Sequence, residues 1–453
     1  MCSPVSIVSE CPACRYTKAE YSWSQSNLKI TNTLPSRIHK FFSNLGPGLI
    51  TGAADDDPSG ISTYSVAGAS FGFNLLWTAL FSFPLMSAVQ LMCARLGMVT
   101  GLGLAGAIRT YYSRSILWMA CLLLITANIV NIAADLGGMA DVTKLVSGTQ
   151  SSLWTPAYAI LILALLIFTS YRTIARIFKW LTLALLAYIL AAFLAQPDWF
   201  VVARATFIPT LEWTPTYWAT LVGILGTTIS PYLFFWQAAQ EVEQEIANGN
   251  TTLEARRGAT MDELKASRND VVTGMFFSNL VMYFIILTAA ASLHANGITK
   301  IATARDAAEA LRPLAGAGAY WLFSLGLIGA GMLGVPVLAG SCAYAISEAA
   351  GWEGSLDARP KRARGFYFVI TIAMAIGLLL DFAGFDAVKM LFWSAVLNGV
   401  LAPPLLVLVI LLTSRADVMG EHRNGPLLRT LGWLCAALMF FATVIMFATA
   451  SMG

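Results

Sequence analysis

Residues 55–60 read Asp55-Asp56-Asp57-Pro58-Ser59-Gly60, and residues 229–232 read Ile229-Ser230-Pro231-Tyr232; both stretches lie inside long apolar segments. Proline cannot donate the next helical hydrogen bond, and its ring clashes with the preceding turn, so a helix is expected to come apart at Pro58 and again at Pro231. Carbonyls freed at membrane depth are tolerated only where they line a cavity or are buried in protein. Acidic side chains at that depth cost about 2.5–3.5 kcal/mol each on insertion scales. Three consecutive carboxylates at such a break point to a held cation.

The surrounding composition fits a membrane setting. The chain has 453 residues, 57% of them hydrophobic and only 12% charged, with a mean hydropathy of +0.68. Soluble domains average about 25% charged residues. Apolar run lengths predict an all-α protein with about eleven membrane spans, near 46–68, 73–95, 116–146, 153–170, 177–196, 215–245, 271–293, 318–348, 366–383, 386–413 and 430–450. Residues 1–45 read as a polar tail without a signal-peptide core. Counting Lys and Arg by loop puts 22 of the 28 on one side, the side of the tail. That places the N-terminus in the cytoplasm and, with an odd number of spans, the C-terminus outside, in a multi-pass plasma (inner) membrane protein.

Breaks in the first and sixth spans, with four spans between them, predict an inverted repeat of five plus five helices with the substrate between the breaks. The repeats cover 46–200 and 210–413, leaving 430–450 as an eleventh, appended helix. The formal net charge of +3 implies no acidic partner, and nothing suggests nucleic-acid binding. Of the seven cysteines, Cys11 and Cys14 form half of a zinc spacing with no second pair or nearby histidine. No nucleotide-binding loop, nucleophile triad or zinc motif is present, so no enzyme and no cofactor are expected.

The stretch 46–77, GPGLITGAADDDPSGISTYSVAGASFGFNLLW, resembles the first span and following loop of the NRAMP family of divalent-metal transporters. Ala134-Asp135-Leu136 resembles that family's acidic third helix, GILGTTISPYLFFWQ (223–237) its broken sixth, and FSLGLIGAGMLGVPVLAGSCAYAIS (323–347) its eighth. The resemblance runs from about 46 to 450 and implies the LeuT-type fold that the two breaks already suggest.

The departures carry as much information as the matches. Asp57 keeps the family's metal-binding Asp, while Gly60 stands where the family has a metal-binding Asn. Ser230 replaces the Met whose sulfur contacts transition metals, Tyr232 replaces a His, and Gly138 replaces the second acid of the third helix. The tenth-helix Gln falls on Ala395, with Asn398 nearby to take the polar role. A thioether favours soft metals, whereas carboxylate, carbonyl and water suit Mg²⁺, Ca²⁺ and Mn²⁺. What is left is a set of hard oxygens: the Asp57 carboxylate, carbonyls near Ala54 and Thr227, and the Ser230 hydroxyl. The smaller residues predict a roomier pocket, shaped by Asp55, Ser59 and Tyr232, that admits a partly hydrated ion.

Helical spacing of about 100° per residue keeps the three acids from facing one point, so Asp57 ranks first and Asp56 next. The pattern is similar to the NRAMP-related magnesium transporters, and the expected cargo is Mg²⁺, with Mn²⁺ second. His39, His294 and His422 all fall in loops or at span ends. That leaves Asp135 as the surviving third-helix acid and predicts no strict proton coupling. Its bland reading is a salt bridge to a ninth-helix arginine such as Arg364. The partners are the divalent cation and the lipid bilayer, and a monomer satisfies the reading. Alternatives are a proton-coupled Mn²⁺/Fe²⁺ importer, a Na⁺-coupled amino-acid symporter on the same fold, and a channel.

Overall fold

The computed structural model describes residues 46–171, 173–174, 183–358 and 360–452, and these residues are helical or in turns and loops throughout. The tail with its Cys11–Cys14 pair, Arg172, Arg176, Lys179, Arg359 and the first residues of the fifth span lie outside them. The main helices of the first half are α1 (Pro47–Asp55), α2 (Pro58–Phe71), α3 (Trp77–Thr100), α4 (Leu104–Tyr111), α5 (Arg114–Ser147), α6 (Ser151–Phe168), α7 (Ala187–Leu194) and α8 (Trp199–Phe207). There follow α9 (Pro215–Thr228), α10 (Pro231–Ala247), α11 (Met261–Ser292), α12 (Ala319–Ala350), α13 (Arg364–Asp381), α14 (Ala387–Ser414) and α15 (Pro426–Met452).

Nine helical segments among the described residues are long and apolar enough to cross a membrane, with α9 and α10 counted together. The first span, pieces of 9 and 14 residues on either side of its break, is absent from that tally because Asp55, Asp56 and Asp57 put three charges in its middle. The fifth is absent because its start lies outside the described residues. Ten of the eleven expected spans thus have described counterparts, and of the fifth the described part is a shorter apolar helix, Ala184–Leu194.

Both breaks follow the same backbone path. At the first, Asp56 has φ −84°, ψ 61° and Asp57 has φ −73°, ψ 170°. At the second, Ile229 has φ −123°, ψ 58° and Ser230 has φ −76°, ψ 132°. In each case the proline then occupies the first helical position, where its missing N–H would be unpaired anyway and its fixed φ suits the new helix.

Packing holds the broken halves in place. α11 lies against α1, α2 and α3, α5 against α12, α13 and α14, and α9 against α14. The α1–α11 contact depends on small residues, as close helix crossings in membranes do. A Cβ on Gly52 would collide with the Gly274 carbonyl, and one on Gly48 would come within 2.6 Å of the Val271 nitrogen. Asp270 of α11 also caps α1, its carboxylate accepting the N–H groups of Gly46 (2.9 Å), Gly48 (2.6 Å) and Leu49 (3.3 Å). These are the orphan donors of a helix start, and a carboxylate complements the positive end of the helix dipole.

Three elements go beyond the sequence reading. α4 and α8 are short helices in connections expected to be plain loops, and Asp198 caps α8 by accepting the Phe200 N–H at 2.9 Å. α11 starts at Met261, ten residues before the expected 271, because Thr260 and Glu263 form a capping box ahead of the apolar run. Substituting Gly52→Leu should overpack the α1–α11 contact, a class of change that costs about 1–3 kcal/mol or more. The expected outcome is a lower thermal midpoint in detergent. Gly425→Ala, with nothing within 4 Å of its Cβ position, should leave that midpoint unchanged.

Candidate functional site at the helix breaks

The first break turns three consecutive carboxylates in two directions. Asp57 is the N-cap of α2, and its Oδ1 accepts the Ser59 hydroxyl at 2.7 Å and the Gly60 N–H at 2.8 Å. Its Oδ2 faces the other helices, accepting Asn131 Nδ2 of α5 at 3.0 Å and the Tyr232 hydroxyl of α10 at 3.3 Å. Asp55 and Asp56 turn instead to α11, where the Ser278 hydroxyl lies 2.5 Å from Asp55 Oδ2 and 3.4 Å from Asp56 Oδ1. Among the described residues no three His, Cys, Asp or Glu side chains gather as a metal-binding group. The acids diverge as the helical spacing requires.

Asp135 completes the acidic set from α5. A Cβ on Gly334 of α12 would lie 3.0 Å from Asp57 Cβ and 3.8 Å from Asp135 Oδ2, so the two acids share one small-residue notch. The Ser59 N–H at the start of α2 approaches the Asp135 carboxylate, and no side-chain donor reaches it. The expected salt bridge is not formed: Arg364 is exposed at the start of α13, away from this buried carboxylate. The four ion pairs among the described residues, Lys265–Asp262, Arg312–Glu309, Arg362–Glu353 and Arg415–Asp417, involve none of the four break acids. Asp55, Asp56, Asp57 and Asp135 are nevertheless at most 5% exposed. Buried charges are ordinarily paired or bound to metals, and among the described residues this cluster has no positive partner.

The remaining expected site residues divide into two groups. The Ala54 carbonyl does converge with Asp57: the Tyr232 hydroxyl lies 3.3 Å from that carbonyl and 3.3 Å from Asp57 Oδ2, bridging the two oxygens. The Thr227 carbonyl is not free, because the Ser230 hydroxyl donates back to it at 2.6 Å and to the Gly226 carbonyl at 2.9 Å. Gly60 contributes an N–H, not an oxygen.

The roomier pocket is not found in this conformation. Where Gly60 lacks a side chain, the Tyr64 ring lies 3.4 Å from the Cβ position, and its hydroxyl accepts from Thr227 Oγ1 at 2.9 Å. The space beside Gly138 is filled in the same way by Leu391, 2.9 Å from the Cβ position. Ala395 serves helix packing, its carbonyl meeting Gly226. Asn398 is buried with both polar side-chain atoms unpartnered.

Sequence reading missed Asn131, Ser278 and Tyr64. The first had a usable signal: Asn128, Asn131 and Asp135 are spaced by three and four, one face of a helix. Asn128 Nδ2 donates to the Leu338 carbonyl of α12 at 2.9 Å, so that face points into the protein.

A polar cavity of about 480 Å³ lies where the ends of α5, α6, α13 and α14 meet, lined by Asp141, Lys144, Ser151, Thr155, Asp381 and Asp386 among others. Below it, a second cavity of about 10 Å³, the size of roughly one water, shares Asp141, Ala387 and Val388 with the first and reaches Ser62, Gly138 and Leu391. Ser62 is on α2, close after the break. None of Asp55, Asp56, Asp57 and Asp135 lines either cavity.

Comparison with known proteins agrees with this architecture. A divalent metal cation transporter MntH from Klebsiella pneumoniae (strain 342) is 28% identical over 410 residues, covering 87% of this chain and 91% of that protein. A second, from Klebsiella pneumoniae subsp. pneumoniae, is 29% identical over the same length. Among solved structures, a manganese transporter from Eremococcus coleocola superposes with a TM-score of 0.72 at 20% identity, covering 94% of this chain and 91% of that one. MhsT in complex with L-phenylalanine, a LeuT-fold transporter, gives 0.60 at 11% identity, covering 89% and 98%. The fold is thus the LeuT type. The family model described as natural resistance-associated macrophage protein-like matches residues 48–449. The chain belongs to the Nramp family.

Proposed function

We propose that this protein carries divalent metal cations across the membrane by alternating access, with Mg²⁺ as its principal cargo and Mn²⁺ as a second, without obligatory proton coupling. The metal is cargo, not a cofactor. The observation that carries the reading is the set of four buried carboxylates at an unwound break with no Lys or Arg paired to them among the described residues. The names of the relatives, divalent metal cation and manganese transporters, support the same class of cargo.

The preference for Mg²⁺ follows from the donors. Asp57 and the Ala54 carbonyl supply hard oxygens, and Ser230 and Gly60 supply neither sulfur nor a carboxamide. Mg²⁺ keeps several waters and is held by one or two carboxylates, which suits acids that diverge. Asp57 Oδ2 is the oxygen available to the ion, since its Tyr232 contact is long enough to be displaced cheaply. Asp56, Asp55, Ser59, Thr227, Ser230 and Tyr232 act around it, through water or by shaping the cavity, with Ala395 and Asn398 at its edge.

A uniporter suffices energetically. A divalent ion moving down about 100 mV gains about 4.6 kcal/mol, an accumulation ratio on the order of 10³. With the N-terminus in the cytoplasm of a plasma-membrane protein, the wide polar cavity faces outward and import would enter on that side. One helix bundle would rock against the rest around the two breaks, with 430–450 appended to the repeats 46–200 and 210–413. One observation favours a second reading, a proton-coupled Mn²⁺/Fe²⁺ importer: Asp135 is a buried acid close to Asp57 with no Lys or Arg paired to it among the described residues.

Liposomes loaded with a pH-sensitive dye separate the two. Mg²⁺ and Mn²⁺ uptake should proceed with no interior acidification, and metal-driven acidification would establish the second reading. Asp57→Ala should reduce uptake to that of protein-free liposomes. Ser230→Met should tighten binding of the soft ion Cd²⁺, whereas tight Cd²⁺ binding by the unmodified protein would refute the hard-oxygen argument.

A further inference from the structure

We propose that Asn131, on the third span, is a neutral oxygen ligand for the cation at Asp57, and that its side-chain amide turns over when the ion arrives. The proposal rests on the reading of the chain as a divalent-cation carrier and names a ligand that the sequence comparison with the family does not supply.

Asn131 is fully buried, and its Nδ2 donates to Asp57 Oδ2 at 3.0 Å while its own Oδ1 accepts nothing. One turn later on the same helix, Asp135 is equally buried, its carboxylate approached by the Ser59 N–H but by no side-chain donor. Residues four apart share a helix face. Near Asp57 the fold therefore buries an amide oxygen with no donor and a carboxylate with no side-chain donor, although buried polar atoms are nearly always paired. Oxygens left short of donors close to a second carboxylate call for a positive partner that comes and goes.

The chemistry of the amide fits that partner. Gly60 gives α2 no carboxamide, so a neutral side-chain oxygen has to come from another helix, and Asn131 holds one within reach of the same carboxylate. Without an ion, the amide hydrogens face Asp57, which is the favourable arrangement beside a carboxylate. An ion on Asp57 Oδ2 would meet those hydrogens head-on. A half-turn about the terminal torsion, which is broad and roughly two-fold, exchanges nitrogen for oxygen with no movement of the backbone. Amide carbonyl oxygens are ordinary ligands for hard dications.

The rival account is that Asn131 only donates to Asp57 and positions it. Asn131→Leu removes both donor and oxygen, while Asn131→Asp keeps oxygens, removes the donor and adds like charge. Titration calorimetry of the full-length protein with Mg²⁺ and with Mn²⁺, together with thermal midpoints with and without metal, distinguishes them. Asn131→Leu should weaken binding by at least ~10-fold, the scale of loss for groups around a metal, and should lose most of the metal-induced rise in midpoint. Asn131→Asp should bind at least as tightly as the unmodified protein and keep that rise.

Binding by Asn131→Asp that is weaker than by the unmodified protein assigns Asn131 to positioning alone and overturns the proposal. Unchanged binding by Asn131→Leu also overturns it. Should Asn131→Leu fail to fold, the Asn131→Asp comparison decides in the same way. An unmodified protein that binds neither ion overturns the transport reading and this proposal with it, whereas metal binding with either adverse variant result overturns this proposal alone.

Discussion

A carboxylate buried at mid-membrane has to be neutralised by a proton, a basic side chain or a metal ion. Here four of them, Asp55, Asp56, Asp57 and Asp135, are buried around one unwound turn, and none has a Lys or Arg partner among the described residues. The rest of the structure accommodates that constraint. α1 is fixed to α11 by Gly-to-backbone packing and by the Asp270 cap, so the unwound turn has a firm edge. The second break follows the same backbone path but carries Ser230 where the first carries Asp57. One break thus supplies charge and the other supplies a self-satisfied polar turn.

Asp57 divides its two oxygens between its own helix and two others. Oδ1 belongs to the fold, capping α2 through Ser59 and Gly60. Oδ2 is held by Asn131 and, loosely, by Tyr232, groups on two other helices. An ion can compete for Oδ2 without uncapping α2. The same division explains why Asp57 is placed directly before Pro58: only the N-cap position lets one carboxylate both start a helix and face out of it.

The spans and the two breaks were legible in the sequence because they depend on local chemistry: apolar run length, and the missing N–H of proline. The divergence of the three acids was legible for the same reason, since it follows from helical geometry alone. What was not legible depends on distant residues. Tyr64 filling the space beside Gly60, and Leu391 the space beside Gly138, turned an expected roomy pocket into a closed one. The Thr227 carbonyl, expected to be free, is taken by Ser230 only one turn of chain away, a back-bond common for serine near helix ends. The expected Asp135–Arg364 pair failed because the acid faces α12 and Asp57 while Arg364 is exposed at the start of its helix. Asn131 could have been found from its spacing to Asp135, had the polar face of the third span been read as a unit.

The wide polar cavity and the small one beside it, lined by Ser62, Gly138 and Leu391 among others, leave the four acids buried away from both. The most direct test of the central claim is the location of bound Mn²⁺ by anomalous diffraction from crystals of the metal-loaded protein. The account places the anomalous peak at Asp57 Oδ2, either about 2 Å away in direct contact or about 4 Å away through one water. A peak at the Asp55–Asp56–Ser278 side, or in the wide outer cavity with none at Asp57, would contradict it.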